Sequence, residues 1–145
     1  MKKFPPERIV CLTEETVETI YLLGEEKRIV GVTGYATRPK KVRNEKPRIS
    51  SFISANIDKI IDLKPDLILA FSDIQSEIVS NLIKKGQSVL CFNQRDIEGI
   101  FNMIQTISNL LDIKQKGINL ISKLKNNIYQ IKNKYSNYNK LKVYF

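Results

Sequence analysis

Histidine is absent from the 145-residue chain, and that gap removes several chemistries at once. Imidazole-ligated zinc and manganese sites are excluded, as are Ser-His-Asp and Cys-His catalysis. Neither GxxxxGK[ST] nor GxGxxG occurs, so the P-loop and the dinucleotide fingerprint are missing too. The acidic pairs Glu14-Glu15 and Glu25-Glu26 are adjacent residues, which do not face each other on a helix. They read as dipole complement and surface charge. With no nucleophile–base pair to name, the chain reads as a binding protein and not an enzyme. No metal site and no cofactor are expected.

Long hydrophobic runs are lacking as well. No stretch nears the roughly 18 apolar residues of a membrane span. The N-terminus, Met1 to Glu7, is basic but has no apolar stretch of the signal-peptide kind. It reads either as a cytoplasmic start or as a chain from which a leader was trimmed. Cysteine is scarce: Cys11 and Cys91 both fall in apolar strand-like runs and are expected to be buried free thiols. A disulfide between them requires those two strands to lie side by side.

Negative charge is in short supply overall, and the formal net charge is +9. Its location matters more than its size. From Met1 to Leu111 sixteen Lys/Arg face fourteen Asp/Glu, whereas Asp112 to Phe145 holds eight Lys and one Asp. The excess therefore follows a helical pattern through Lys114, Lys116, Lys123, Lys125, Lys132 and Lys134. A solvated helix face accounts for it at least as well as a phosphate-binding patch.

What is present is an alternation of short β-like runs and helical segments. Arg8–Leu12, Ile29–Val32, Leu67–Phe71 and Ser88–Phe92 are apolar and read as strands. Helices are predicted from Thr13 to Gly24, from Asn56 or Ser54 to Leu63, from Asp73 to Lys85, and over Ile97–Leu111. Thr13, Asp73 and Asp96 are the expected N-caps, and Gly24 and Gly86 the expected C-terminal stops. Between Thr33 and Pro47 the chain carries five Lys/Arg with Gly34 and Pro39 and reads as a long loop. Strands apolar throughout and separated by helices imply an α/β fold, a mainly parallel β-sheet sandwiched by helices.

The end of the chain departs from that rhythm. Ile121, Leu124, Ile128, Ile131 and Tyr135 recur at spacings of three and four, one narrow stripe on a helix from about Ile113 to Tyr135. That helix would run roughly 33 Å. Leu141–Phe145 then reads as a fresh strand, the expected opening of a second domain.

In open parallel sheets ligands bind outside the carboxyl ends of the strands. Four connections fall there: Thr13-Glu14-Glu15, Gly34 to Arg38, Ser51 to Ser54, and Phe71-Ser72-Asp73. Capping alone explains Thr13 and Asp73 well, and Phe71 could finish packing the sheet. Tyr35 and Phe52 lie in polar surroundings, where they either pin a loop or meet a ligand.

The residues also carry a resemblance. The stretch from Arg8 to Gly24, then Arg28 to Thr33, Pro47 to Phe52 and above all Asn56 to Ala70, is similar to the vitamin B12/iron-siderophore class of ABC-transporter solute-binding proteins. The likeness in order and spacing covers essentially the whole chain. It implies a two-lobed architecture in which 1–112 is the N-terminal Rossmann-like lobe, 113–136 the connector helix, and 137–145 the first strand of a second lobe absent from this chain. It implies binding of a bulky metal chelate, a cobalamin or a ferric siderophore, for delivery to an ABC permease on the extracytoplasmic face of the membrane. Any cobalt or iron would arrive inside the ligand.

The resemblance assigns aromatics at Tyr35, Phe52 and Phe71 to the corrin or chelate, and Asp58 to docking on the permease; dipole complement competes for Asp58. With the strand-end reading, the expected ligand-binding set is Thr13, Glu14, Glu15, Tyr35, Phe52, Phe71, Ser72 and Asp73. Two departures stand out. Thr13-Glu14 replaces the family's usual Ser-Pro, and Ala36-Thr37-Arg38 follows Tyr35 where acidic residues are usual. Two other readings compete: a cytoplasmic carrier or sensor of the same fold, and a basic nucleic-acid-binding module. The second is disfavoured, because the lysines have no interleaved stacking aromatics.

Overall fold

A computed structural model of the chain describes residues 4–138 and 142. Five parallel strands form one sheet in the order β3-β2-β1-β4-β5. They are β1 (Ile9–Cys11), β2 (Ile29–Thr33), β3 (Arg48–Ser50), β4 (Leu67–Phe71) and β5 (Val89–Phe92). The first strand is central, pairing with β2 on one side and β4 on the other. All three of its residues are fully buried, as a strand covered on both faces requires.

Side-chain alternation along the strands divides the core in two. On one face Ile9, Cys11 and Leu69 meet helix α1 (Glu14–Leu22), helix α5 (Ile97–Leu110) and helix α6 (Lys114–Lys134). On the other, Val10, Ile68 and Ala70 meet helix α3 (Ile57–Asp62) and helix α4 (Ser76–Lys84). The predicted sandwich is therefore the observed one. A one-turn helix α2 (Val42–Glu45) interrupts the stretch expected to be loop, burying Val42 completely.

Several local expectations change. Thr13 occupies the N-cap of α1 but its side chain makes no capping bond. After β4 the cap is Ser72 and not Asp73: the Ser72 hydroxyl accepts from the amide of Ile74 at 3.3 Å. A single 3-10 turn over Asp73–Gln75 precedes α4. Ser72 adopts φ 54°, a left-handed backbone that costs a non-glycine residue energy unless its surroundings hold it. Asp96 does cap α5, its carboxylate accepting from the amide of Gly99 at 2.7 Å.

The strand at Arg48–Ser50 was not predicted, because Arg48 and Ser50 are polar and only Ile49 is buried. Conversely β5 is not the buried strand expected. Among the described residues it is the last strand at one margin of the sheet, and Cys91 is exposed. Cys11 and Cys91 are both free, and β4 separates their strands.

The last helix is anchored near its start. Gly117 is its one buried residue, and a Cβ there would land on the Ser108 side chain of α5. Glycine thus sets how closely α5 and α6 approach. The Lys116 ammonium adds a 2.7 Å ion pair to Glu25, which also holds Arg28 at 2.8 Å. Farther along, Ile121, Leu124 and Ile128 pack partly on the core. Ile131 and Tyr135 are then 61% and 51% exposed, so this stripe loses its cover after Ile128. The predicted strand at 141–145 lies outside the described residues except for Lys142, which is not in a strand.

Candidate functional site

The carboxyl ends of β1, β2 and β3 build one open cavity of about 750 Å³. Its wall is the first half of α1, which contributes Glu14, Glu15 and Glu18. Glu14 and Glu15 sit in the first turn of the helix, where the dipole favours negative charge. Glu14 is tied down further. Its Oε1 accepts from the Thr37 hydroxyl at 2.6 Å and from the Thr37 amide at 3.3 Å. That hydroxyl bond is the main reason its carboxyl is held below the usual glutamate range, with Arg38 assisting. The Arg38 guanidinium bridges two carboxylates, Nε to Glu14 at 3.6 Å and Nη2 to Glu18 at 3.3 Å.

Two aromatics face this wall. Tyr35 follows β2 and Phe52 follows β3, and their rings meet edge to face with centroids 6.4 Å apart. The close passage of the two loops depends on Gly34, whose amide donates to the Ser50 carbonyl at 2.7 Å. A Cβ on Gly34 would sit 3.3 Å from that oxygen. Tyr35 is 60% exposed and Phe52 half-buried, and neither ring belongs to the buried core. Apolar side chains of α5, among them Ile100, Met103 and Ile104, complete the cavity. Leu124 of α6 reaches it as well.

Behind the loops lies Gln75, a wholly buried polar side chain. Its Nε2 donates to the carbonyls of Leu12 at 3.1 Å and Phe52 at 2.9 Å. Its Oε1 accepts from the amide of Phe71 at 3.0 Å. One side chain therefore joins the ends of β1 and β4 to the loop that carries Phe52, with its amide nitrogen and its oxygen both paired.

The expected ligand-binding set is divided by this geometry. Glu14, Glu15, Tyr35 and Phe52 share the cavity. Thr13 does not line it: the residue is buried and its hydroxyl pairs with that of Thr16 at 3.3 Å. Phe71 is at the same sheet edge but stacks under the Arg95 guanidinium, 5.7 Å from the ring centroid. Arg95 in turn pairs with Asp73 at 3.4 Å. Ser72 and Asp73 line a separate cavity of about 650 Å³ beside Cys91. Tyr35 and Phe52 thus share the cavity, and Phe71 lies at the same sheet edge outside its lining.

Glu18 was overlooked, although its i+4 spacing from Glu14 places it on the same helix face. No local signal marks Ile100, Met103, Ile104 or Gln75, which reach the site through tertiary packing. Asp58 is exposed in the first turn of α3. Among the described residues no group of three potential His/Cys/Asp/Glu ligands is arranged to hold a metal ion, and no helix is long and apolar enough to cross a membrane.

Comparison with known proteins gives a consistent picture. A family model described as periplasmic binding protein matches residues 9–145. An uncharacterized ABC transporter substrate-binding lipoprotein of Bacillus subtilis, YvrC, is 30% identical over 136 residues, covering 91% of this chain and 43% of that protein. The vitamin B12-binding protein of Vibrio vulnificus is 25% identical over 142 residues, 97% of this chain and 52% of its own. Among solved structures, a possible iron-binding periplasmic solute-binding protein of Staphylococcus epidermidis superposes with a TM-score of 0.85 at 27% identity. That match covers 94% of this chain and 54% of the other. The chain spans about half the length of the curated relatives it matches.

Proposed function

This chain belongs to the periplasmic binding protein family, and we propose that it supplies one lobe of a two-lobed protein that binds a bulky metal chelate for an ABC importer. In this reading residues up to 112 form the lobe, and α6 is the connector toward a second lobe. The observation that carries it is the Tyr35–Phe52 pair, an exposed ring against a half-buried one, at a roughly 750 Å³ cavity on the carboxyl edge of the sheet. Stacked or edge-on rings suit a ligand with large apolar area and its own metal. The vitamin B12-binding relative and the substrate-binding lipoprotein support the ligand class and an extracytoplasmic setting. Binding without chemical turnover fits a wall that offers carboxylates, aromatics and apolar side chains but no nucleophile beside a base.

Asp58 is assigned to docking on a cationic surface of the permease, which suits an exposed acid at a helix start. The nucleic-acid reading loses ground, because Lys116 and Lys125 of α6 are engaged with Glu25 and Glu98. Titration calorimetry with cobalamin, a ferric hydroxamate and haem tests the proposal. At least one chelate should bind, and Tyr35→Ala with Phe52→Ala should weaken it by roughly tenfold or more, about 1.4 kcal/mol. Unchanged affinity in the double variant would place the ligand elsewhere.

A further inference from the structure

We propose that the cavity wall selects chelates of positive or zero net charge and turns polyanionic ones away, an inference that rests on the chelate-binding reading above. Three carboxylates, Glu14, Glu15 and Glu18, line the cavity against a single cation, Arg38. That cation is already committed: Arg38 reaches Glu14 and Glu18 together. Thr37 independently holds Glu14 in its ionised form through the 2.6 Å hydroxyl bond. Two negative charges are therefore left uncompensated beside the Tyr35–Phe52 pair. An incoming anion that approaches the free side of the Arg38 guanidinium would still meet the carboxylates of Glu14 and Glu18 beside it.

The chain's overall positive charge does not offset this. Lys125 neighbours the cavity-lining Leu124, but its ammonium is turned to Glu98 at 3.5 Å and lies 4.9 Å over the Phe101 ring. Among the described residues no lysine lines the cavity. Exposed charges farther off than about 10 Å are screened at ~0.1 M salt. The apolar side of the cavity, formed by Ile100, Met103 and Ile104, instead concentrates the field of the nearby carboxylates. Selection would thus be set locally by α1, against the sign of the whole molecule.

Equilibrium dialysis against three probes tests this. They are a ferric trihydroxamate with a pendant ammonium, neutral cyanocobalamin, and a ferric tris-catecholate, which is a trianion. The ammonium-bearing or neutral chelate should bind at least about tenfold more tightly than the trianion. The advantage of the cationic probe should shrink between ~20 mM and ~300 mM salt. Glu15→Gln with Glu18→Gln should narrow the cation-to-trianion ratio several-fold. A trianion bound as tightly as the other two overturns the charge selection and leaves the chelate reading standing. A ratio unmoved in the double variant overturns the assignment to these carboxylates. If none of the three is bound at millimolar protein, the chelate reading fails and this inference fails with it.

Discussion

Replacing Gln75 with alanine should unfasten the carboxyl edge of the sheet. The side chain is wholly buried and makes three hydrogen bonds, to the carbonyls of Leu12 and Phe52 and from the amide of Phe71. Alanine leaves all three backbone groups without that partner. A buried polar group so abandoned costs about 1–3 kcal/mol. Phe52 and Phe71 are only partly buried, so water can reclaim some of their bonding, whereas Leu12 is completely enclosed. The expected loss is therefore near the lower bound for three groups, about 3 kcal/mol. For a chain of this size that corresponds to a melting temperature lower by roughly 10 °C. Gln75→Glu keeps the shape but directs a carboxylate oxygen at two carbonyl oxygens. It should be at least as damaging at neutral pH and recover partly on acidification, when the protonated carboxyl regains one donor. Urea denaturation followed by circular dichroism measures both variants. If Gln75→Ala stays within about 1 kcal/mol of the parent, the buried amide does not hold these loops together.

Two further outcomes follow from the packing. Gly117→Ala has helix propensity in its favour by about 1 kcal/mol, yet its methyl would land on the Ser108 side chain. A net loss of about 1–2 kcal/mol in thermal unfolding is expected from overpacking, and a stabilised variant would show that α5 and α6 can separate freely. The two thiols should react differently with an aromatic disulfide reagent at pH 8. Burial pushes the Cys11 thiol up to about 12, so only the exposed Cys91 should be labelled until the chain is unfolded, and rapid native labelling of both would contradict the central position of β1.

Much of the frame was legible because it is written in short-range patterns. Leu67–Phe71 was identified to the residue, since an apolar β-branched run between a Lys-Pro stop and a polar turn has few other readings. Asp96 was recognised as a cap because an acid before a helical stripe bonds locally, within three residues. The parallel sandwich followed from alternation of such runs with amphipathic helices. Arg48–Ser50 escaped notice because an edge strand with one inward residue has almost no pattern to read. The cap after β4 went to Ser72 and not Asp73, a choice between two good capping residues that the φ of 54° at Ser72 decides.

The sequence by itself therefore determined the class of fold, the positions of the longer helices and the sheet edge at which loops gather, since each depends on neighbours a few positions apart. Tertiary structure alone decided which of those loops form the cavity. Tyr35 and Phe52 are seventeen positions apart and meet because β2 and β3 are adjacent. Phe71, equally well placed in the sequence, is diverted to Arg95. Cys91, as apolar in its surroundings as Cys11, is exposed because strand order put β5 at the margin. Ile100, Met103 and Ile104 enter the site because α5 folds back on the α1 face. Strand order and helix placement are settled by the packing of the whole core, which no local window of residues contains.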